Sequence, residues 1–266
     1  MPFIVRAADA LPTPDPRRAA VIAPGRLVDD RVSIEIVSLA TADSLEIATG
    51  DSELAWLQVL SGECALDGEP LTVDWIAMLA RGAGAALTAS TPARILLVRV
   101  PRAADDDPGL MPGARARVDW TTEPVLSSEH DARRRIYLAS PGLWGTNAVK
   151  GEMIFYPQNC AGAAHHHEGA EHFQYLLSGA GVAVLDGVEV VLNEGDLLYN
   201  FENELHWFRN DGDVEMVFVE FFVPGESATV WAPGANACGW EPTGHDIKGR
   251  EPARQLSYHI HGQGDV

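Results

Sequence analysis

Gln174-Tyr175-Leu176-Leu177-Ser178-Gly179 echoes Leu57-Gln58-Val59-Leu60-Ser61-Gly62, and a few residues later Leu185-Asp186-Gly187 echoes Leu66-Asp67-Gly68. Each copy is a short apolar run stopped by Ser-Gly, then a second run stopped by Asp-Gly, which is the turn chemistry of β-hairpins. The echo extends outward. Ile95–Val100 closes on Pro101 as Val217–Val223 closes on Pro224, so one unit of roughly a hundred residues, an ordinary domain size, occurs twice.

The rest of the chain fits this reading. Twenty-five Gly and seventeen Pro punctuate apolar runs at close intervals, and candidate strands fall at 32–39, 56–60, 95–100, 152–156, 173–177, 181–185, 196–199 and 215–223. Helical spacing is confined to stretches such as Ser127 to Ile136. We therefore expect an all-β protein of two tandem barrels, residues 1–112 and 113–225. The polar, proline-bounded segment Pro101–Gly109 links them, and residues 226–266 form an ordered tail packed on the second barrel.

Composition narrows the function. Nineteen basic against thirty-eight acidic side chains give a net charge of −19, which repels nucleic-acid backbones and anionic membrane surfaces. The start Met1-Pro2-Phe3-Ile4-Val5-Arg6 lacks a signal-like apolar stretch, and no run of about eighteen apolar residues occurs, so a cytoplasmic location is expected. Cys64, Cys160 and Cys238 are scattered and read as buried thiols rather than a disulfide or zinc framework.

Nine histidines are present, none before His130, and four fall within eight residues: His165, His166, His167 and His172. In a strand, residues i and i+2 share a face about 6.6 Å apart, near enough for His165 and His167 to converge on one ion through bonds of roughly 2.0–2.2 Å. His166 points away. After the turn Glu168-Gly169-Ala170, His172 opens the next strand, and the strand pair begun at Gly195-Asp196 ends at His206. A one-residue shift in register exchanges His172 for Glu171, which stays open as the alternative fourth ligand. His259 and His261 also have i, i+2 spacing but are assigned to an ordinary tail. His130 and His245 receive no role.

The spacing of His165, His167, His172 and Gly179 resembles the first motif of the cupin superfamily. Gly195, Phe201, Asn203, His206 and Asn210 follow the spacing of the second, with Phe201 and Asn203 where proline and glycine are usual. His172 stands where that family commonly has glutamate, as in its all-histidine subgroup. With the repeat, the chain is similar to a bicupin whose one metal site lies in the C-terminal barrel. Mapping the repeat back places Ala48, Gly50, Ala55 and Leu87 at the ligand positions of the first barrel. That barrel is therefore expected to serve as packing surface in a homodimer or larger oligomer.

The resemblance implies one divalent transition metal held by His165, His167, His172 and His206. Two open cis positions favour Fe(II) or Mn(II), with Ni, Zn, Cu and Co also compatible with imidazole donors. Neutral ligands leave the ion's charge uncompensated, which favours an anionic small-molecule substrate. Gln174, Tyr199 and Glu220 are the candidate catalytic residues. Met153, Phe155, Leu176 and Phe208 are expected to line the substrate pocket, and Tyr199, Trp207 and Glu220 its mouth. The leading expectation is a mononuclear non-haem dioxygenase of a small hydroxylated or enolisable compound. The alternatives are a redox-neutral hydrolase, lyase or isomerase, resembling the ureidoglycine aminohydrolases in length, and a non-catalytic binding module. A general base beside the ligands would favour redox-neutral chemistry, and a dry aromatic pocket would favour oxygen chemistry.

Overall fold

The glycines of the two echoed stretches are required by the backbone. Gly62 and Gly179 have φ of 79° and 76°, and a Cβ would meet Pro92 O at 2.2 Å in one copy and Glu215 O at 2.5 Å in the other. Only glycine allows both the left-handed conformation and the close approach. The Asp-Gly turns likewise have positive φ at both positions, Asp67-Gly68 and Asp186-Gly187, as two-residue hairpin turns demand.

The computed structural model describes residues 2–262, and these are almost entirely β, with two one-turn α-helices and two short 3-10 turns. Contacts divide the chain into two units. One comprises Ala8–Trp120 and Leu143–Ala148; the other comprises the stretch up to Ala7, Thr121–Gly142 and the chain from Val149 onward. These bounds differ from the expected cuts. Phe3–Val5 pairs with Leu197–Asn200 of the second unit, so the start of the chain covers an edge of that sheet. The segment expected as a covering tail is woven in: Ala228–Trp231 pairs with His165–Glu168, and Gly239–Pro242 and His259–Ile260 end the larger sheet. Ser127 to Ile136 is not helical. Leu126–Ser128 and Arg134–Ala139 form a hairpin whose turn is held by Asp131, which accepts from the Arg133 backbone N at 2.9 Å.

In the first unit a seven-stranded and a four-stranded sheet enclose Leu45, Ile47, Ala55, Leu57, Leu87 and Leu97. In the second, a nine-stranded and a six-stranded sheet enclose Ile154, Tyr156, Leu176, Phe208, Met216 and Phe218. Each such large side chain contributes about 1.5–3 kcal/mol by leaving water. Register corrects one part of the expected mapping. Leu87 stands opposite Leu45 as His206 stands opposite His165, so Leu45 and Ile47, rather than the exposed Ala48 and Gly50, occupy the positions of His165 and His167. The first interior is apolar at these positions.

Candidate metal centre

The second barrel gathers its four clustered histidines from three strands. His165 and His167 lie on one face of His165–Glu168, and His165 is the cross-strand partner of His206. Glu171–Ser178 alternates, turning His172, Gln174 and Leu176 inward, all three buried. The rings pack as one cluster: His165 to His206 at 4.6 Å, His167 to His172 at 4.7 Å, His172 to His206 at 4.7 Å and His165 to His167 at 4.8 Å between centroids. Phe222 closes one side, stacked on His172 at 5.1 Å. Asn203, where the cupin motif usually has glycine, takes the left-handed φ of 66° and bonds His167 O through its backbone N. That turn holds the two motifs together.

Hydrogen bonding sets the tautomers. His165 Nδ1 donates to Ala163 O at 2.8 Å and His206 Nδ1 to Glu204 O at 2.9 Å; a carbonyl only accepts, so each neutral ring keeps its Nε2 lone pair for the interior. His167 Nε2 is buried without a hydrogen-bond partner, which would be costly unless something fills the space before it. His172 Nε2 lies 3.2 Å from His206 Nε2, close to the separation of about 3 Å for cis ligands with bonds of about 2.1 Å. Burial holds all four rings neutral: His165, His167 and His172 are driven well below the usual imidazole range, and His206 is lowered to about 4. Neutral imidazoles are the metal-binding form. These residues fit a divalent transition ion.

Two donor groups are formed, each with atoms within 4.8 Å of one another: His167, His172, His206 and Glu220, and His165, His167 and His261. Glu220, expected at the mouth, lies deep in the barrel with its Oε1 3.8 Å from His172 Nε2. Gln174 Nε2 donates to Glu220 Oε1, and Asn200 Nδ2 donates to Gln174 Oε1 at 2.9 Å. Burial, and then the cross-strand carboxyl of Glu152, push Glu220 well above the ordinary carboxylate range. Its neutral form is favoured accordingly.

Behind Glu220 lies a network unremarked in the sequence. Arg135 is ion-paired with buried Glu152 at 2.9 Å, donates to Tyr137 Oη at 3.1 Å and reaches His261 Nδ1 at 2.6 Å. Tyr137 Oη bonds His259 Nε2 at 2.7 Å. Thus His259 and His261 are buried partners of this network, not an ordinary tail. Their i, i+2 spacing was the available signal, and the pairing of His259–Ile260 with Gly239–Pro242 brings it home. A cavity bordered by His165, Glu220, His261, Arg133, Arg135 and Phe218 joins network and cluster.

Several expected residues lie elsewhere. Tyr199 pairs with Phe173 rather than His172, stacks on Phe3 at 5.4 Å and donates from its hydroxyl to Glu171; both face away from the cluster, so Glu171 is not at the site. Met153 and Phe155 face opposite to Glu152, Ile154 and Tyr156, because a strand alternates, and Arg134 covers the Phe155 ring at 5.1 Å. Leu176 and Phe208 do face the interior. Trp207 alternates outward, beneath Arg209 at 5.9 Å. His166 lies beside Glu168 at 3.7 Å.

Among known proteins the chain resembles the oxalate decarboxylase of Bacillus subtilis in fold. One structure, determined at pH 4.6, has a TM-score of 0.67 at 14% identity, covering 87% of this chain and 78% of that one. A second, concerned with a structural element that modulates proton-coupled electron transfer, has 0.68 at 13%, covering 87% and 79%. A third, whose subject is the Mn(II) centres of that enzyme, has 0.67 at 14% and the same coverage. No curated protein matches the chain in sequence. Among the described residues no helix is long and apolar enough to cross a membrane. Residues 151–222, which contain all four clustered histidines, match the family model for a cupin domain.

Proposed function

We propose that the second barrel is a mononuclear metal centre performing redox-neutral chemistry, as a lyase, isomerase or hydrolase, on a small carboxylate-bearing compound. His165, His167, His172 and His206 are the ligands. The bound ion, with Mn(II) or Fe(II) foremost, supplies Lewis-acid polarisation of the substrate's oxygens. The observation that carries the reading is Glu220. Its Oε1 is engaged by Gln174 and lies 3.8 Å from His172 Nε2, burial favours its neutral form, and the carboxyl borders the cavity as a proton donor for a molecule seated against the histidines. Gln174, itself held by Asn200, fixes the orientation of that acid. Glu152 and Arg135 stand behind it as the charge pair through which its proton affinity is set. The likeness in fold to a decarboxylase agrees with chemistry in which a proton is delivered to carbon.

A second reading, dioxygenase activity, is favoured by Phe208, Phe218 and Phe222 on the walls. Metal analysis of anaerobically purified protein, followed by oxygen-uptake screening, separates the two. We expect one divalent metal per chain, lost in His167→Ala and His206→Ala, kept in His166→Ala, and turnover of a small carboxylate without oxygen consumption. Full metal in both ligand variants would refute the centre, and stoichiometric oxygen uptake would establish the second reading. The same proposal takes a small molecule, not nucleic acid or membrane, as the partner of a cytoplasmic homodimer or larger oligomer, which light scattering tests.

A further inference from the structure

We infer that His261, in the turn just after His259–Ile260, binds the substrate's carboxylate through its Nε2–H and is not a metal ligand. The inference rests on the metal centre proposed above and identifies the group that holds the substrate there. Five imidazoles crowd the interior, and geometry alone would allow His165, His167 and His261 to share an ion. The tautomers exclude it. A guanidinium can only donate, so the 2.6 Å contact from Arg135 Nη2 makes His261 Nδ1 an acceptor. A neutral imidazole accepting at Nδ1 carries its proton at Nε2, the opposite arrangement from His165 and His206, whose Nδ1 atoms donate to carbonyls. Nε2–H of His261 is thus a donor, with no lone pair to offer a metal.

Its position suits an anion. The ring centroid lies 5.7 Å from His165 and 5.4 Å from His167, on the border of the cavity that also contains His165 and Glu220. The two arginines bordering the cavity are already matched, Arg133 by Asp131 at 2.6 Å and Arg135 by Glu152 at 2.9 Å. Arg135 therefore acts through the imidazole, polarising its Nε2–H toward the cavity. A carboxylate lying between the ion and His261 would receive one charge-assisted hydrogen bond there, with the Glu220 side chain bordering the same cavity. Trp231, 5.2 Å from His165 and 6.3 Å from His261, borders the same cavity.

The test uses Co(II)-loaded protein, with formate, acetate and malonate as probes, followed by calorimetry and by the visible spectrum of the ion. His261→Phe should keep one metal per chain and weaken the tightest of the three by about tenfold or more, the worth of one hydrogen bond to a charged group. His261→Gln, whose amide can accept from Arg135 and still present an N–H, should recover most of that loss. Metal loss in His261→Phe equal to that of His167→Ala would make His261 a ligand and overturn the inference. Unchanged carboxylate affinity in a metal-loaded His261→Phe protein would overturn it while leaving the metal centre standing, whereas a wild-type protein that takes up no metal would refute both.

Discussion

Removing the metal and acidifying should expose the cost of burying the histidines. His206 is lowered from 6.5 to about 4 by burial, so on acidification the unfolded chain takes up the proton first. The stability due to a neutral, buried His206 is therefore complete above about pH 6.5 and is lost as the pH falls through 4. At pH 5 the unfolded imidazole is almost wholly protonated and the folded one scarcely so, which amounts to about 2 kcal/mol at 1.36 kcal/mol per pH unit. Glu220 acts in the opposite sense. Its raised folded value means the native state keeps a proton that the unfolded chain releases, so Glu220 adds stability as the pH falls and partly masks the histidines. The comparison that isolates His206 is with His206→Gln, which has no proton to take up. Urea denaturation of chelator-treated protein, monitored by circular dichroism, should show the wild type losing about 2 kcal/mol more than the variant between pH 7 and pH 5. Equal losses would mean that His206 is not held neutral by burial, and the tautomer argument for its Nε2 would fail with it.

Other perturbations test the frame of the site. Gly151→Ala places a Cβ 2.2 Å from the Phe221 ring, which is stacked on Phe173 at 5.6 Å and cannot swing clear; thermal denaturation should register a loss of about 1–3 kcal/mol. Arg135→Met takes the ion-pair partner from fully buried Glu152, and a loss of about 3–5 kcal/mol is expected by chemical denaturation. Tyr199→Phe removes the hydroxyl that bonds Glu171, on the face turned away from the cluster, and its metal content by elemental analysis should equal that of the wild type.

Local patterns were enough to identify strands, hairpins and the cluster of His165, His167, His172 and His206, because period-two alternation and Asp-Gly or Ser-Gly turns act over a few residues. The same patterns showed that the first barrel lacks these donors, although only register revealed Leu45 and Ile47 as their counterparts. The choice between Glu171 and His172 needed the sheet: a strand read alone can be shifted by one, and its pairing with Asn200 and Phe222 decides which side faces in. The same one-residue ambiguity misplaced Met153 and Phe155 and hid Glu152 between them. Arg135, Tyr137, His259 and His261 were beyond reach for another reason. They come from strands more than a hundred positions apart, and only the pairing of Leu126–Ser128 with both Arg134–Ala139 and Gly239–Pro242 carries the end of the chain to the edge of the metal site. Sequence alone thus picked out four histidines that the fold gathers into one cluster. Tertiary structure decided which buried acid and which donor stand beside it, since long-range strand pairing sets those distances.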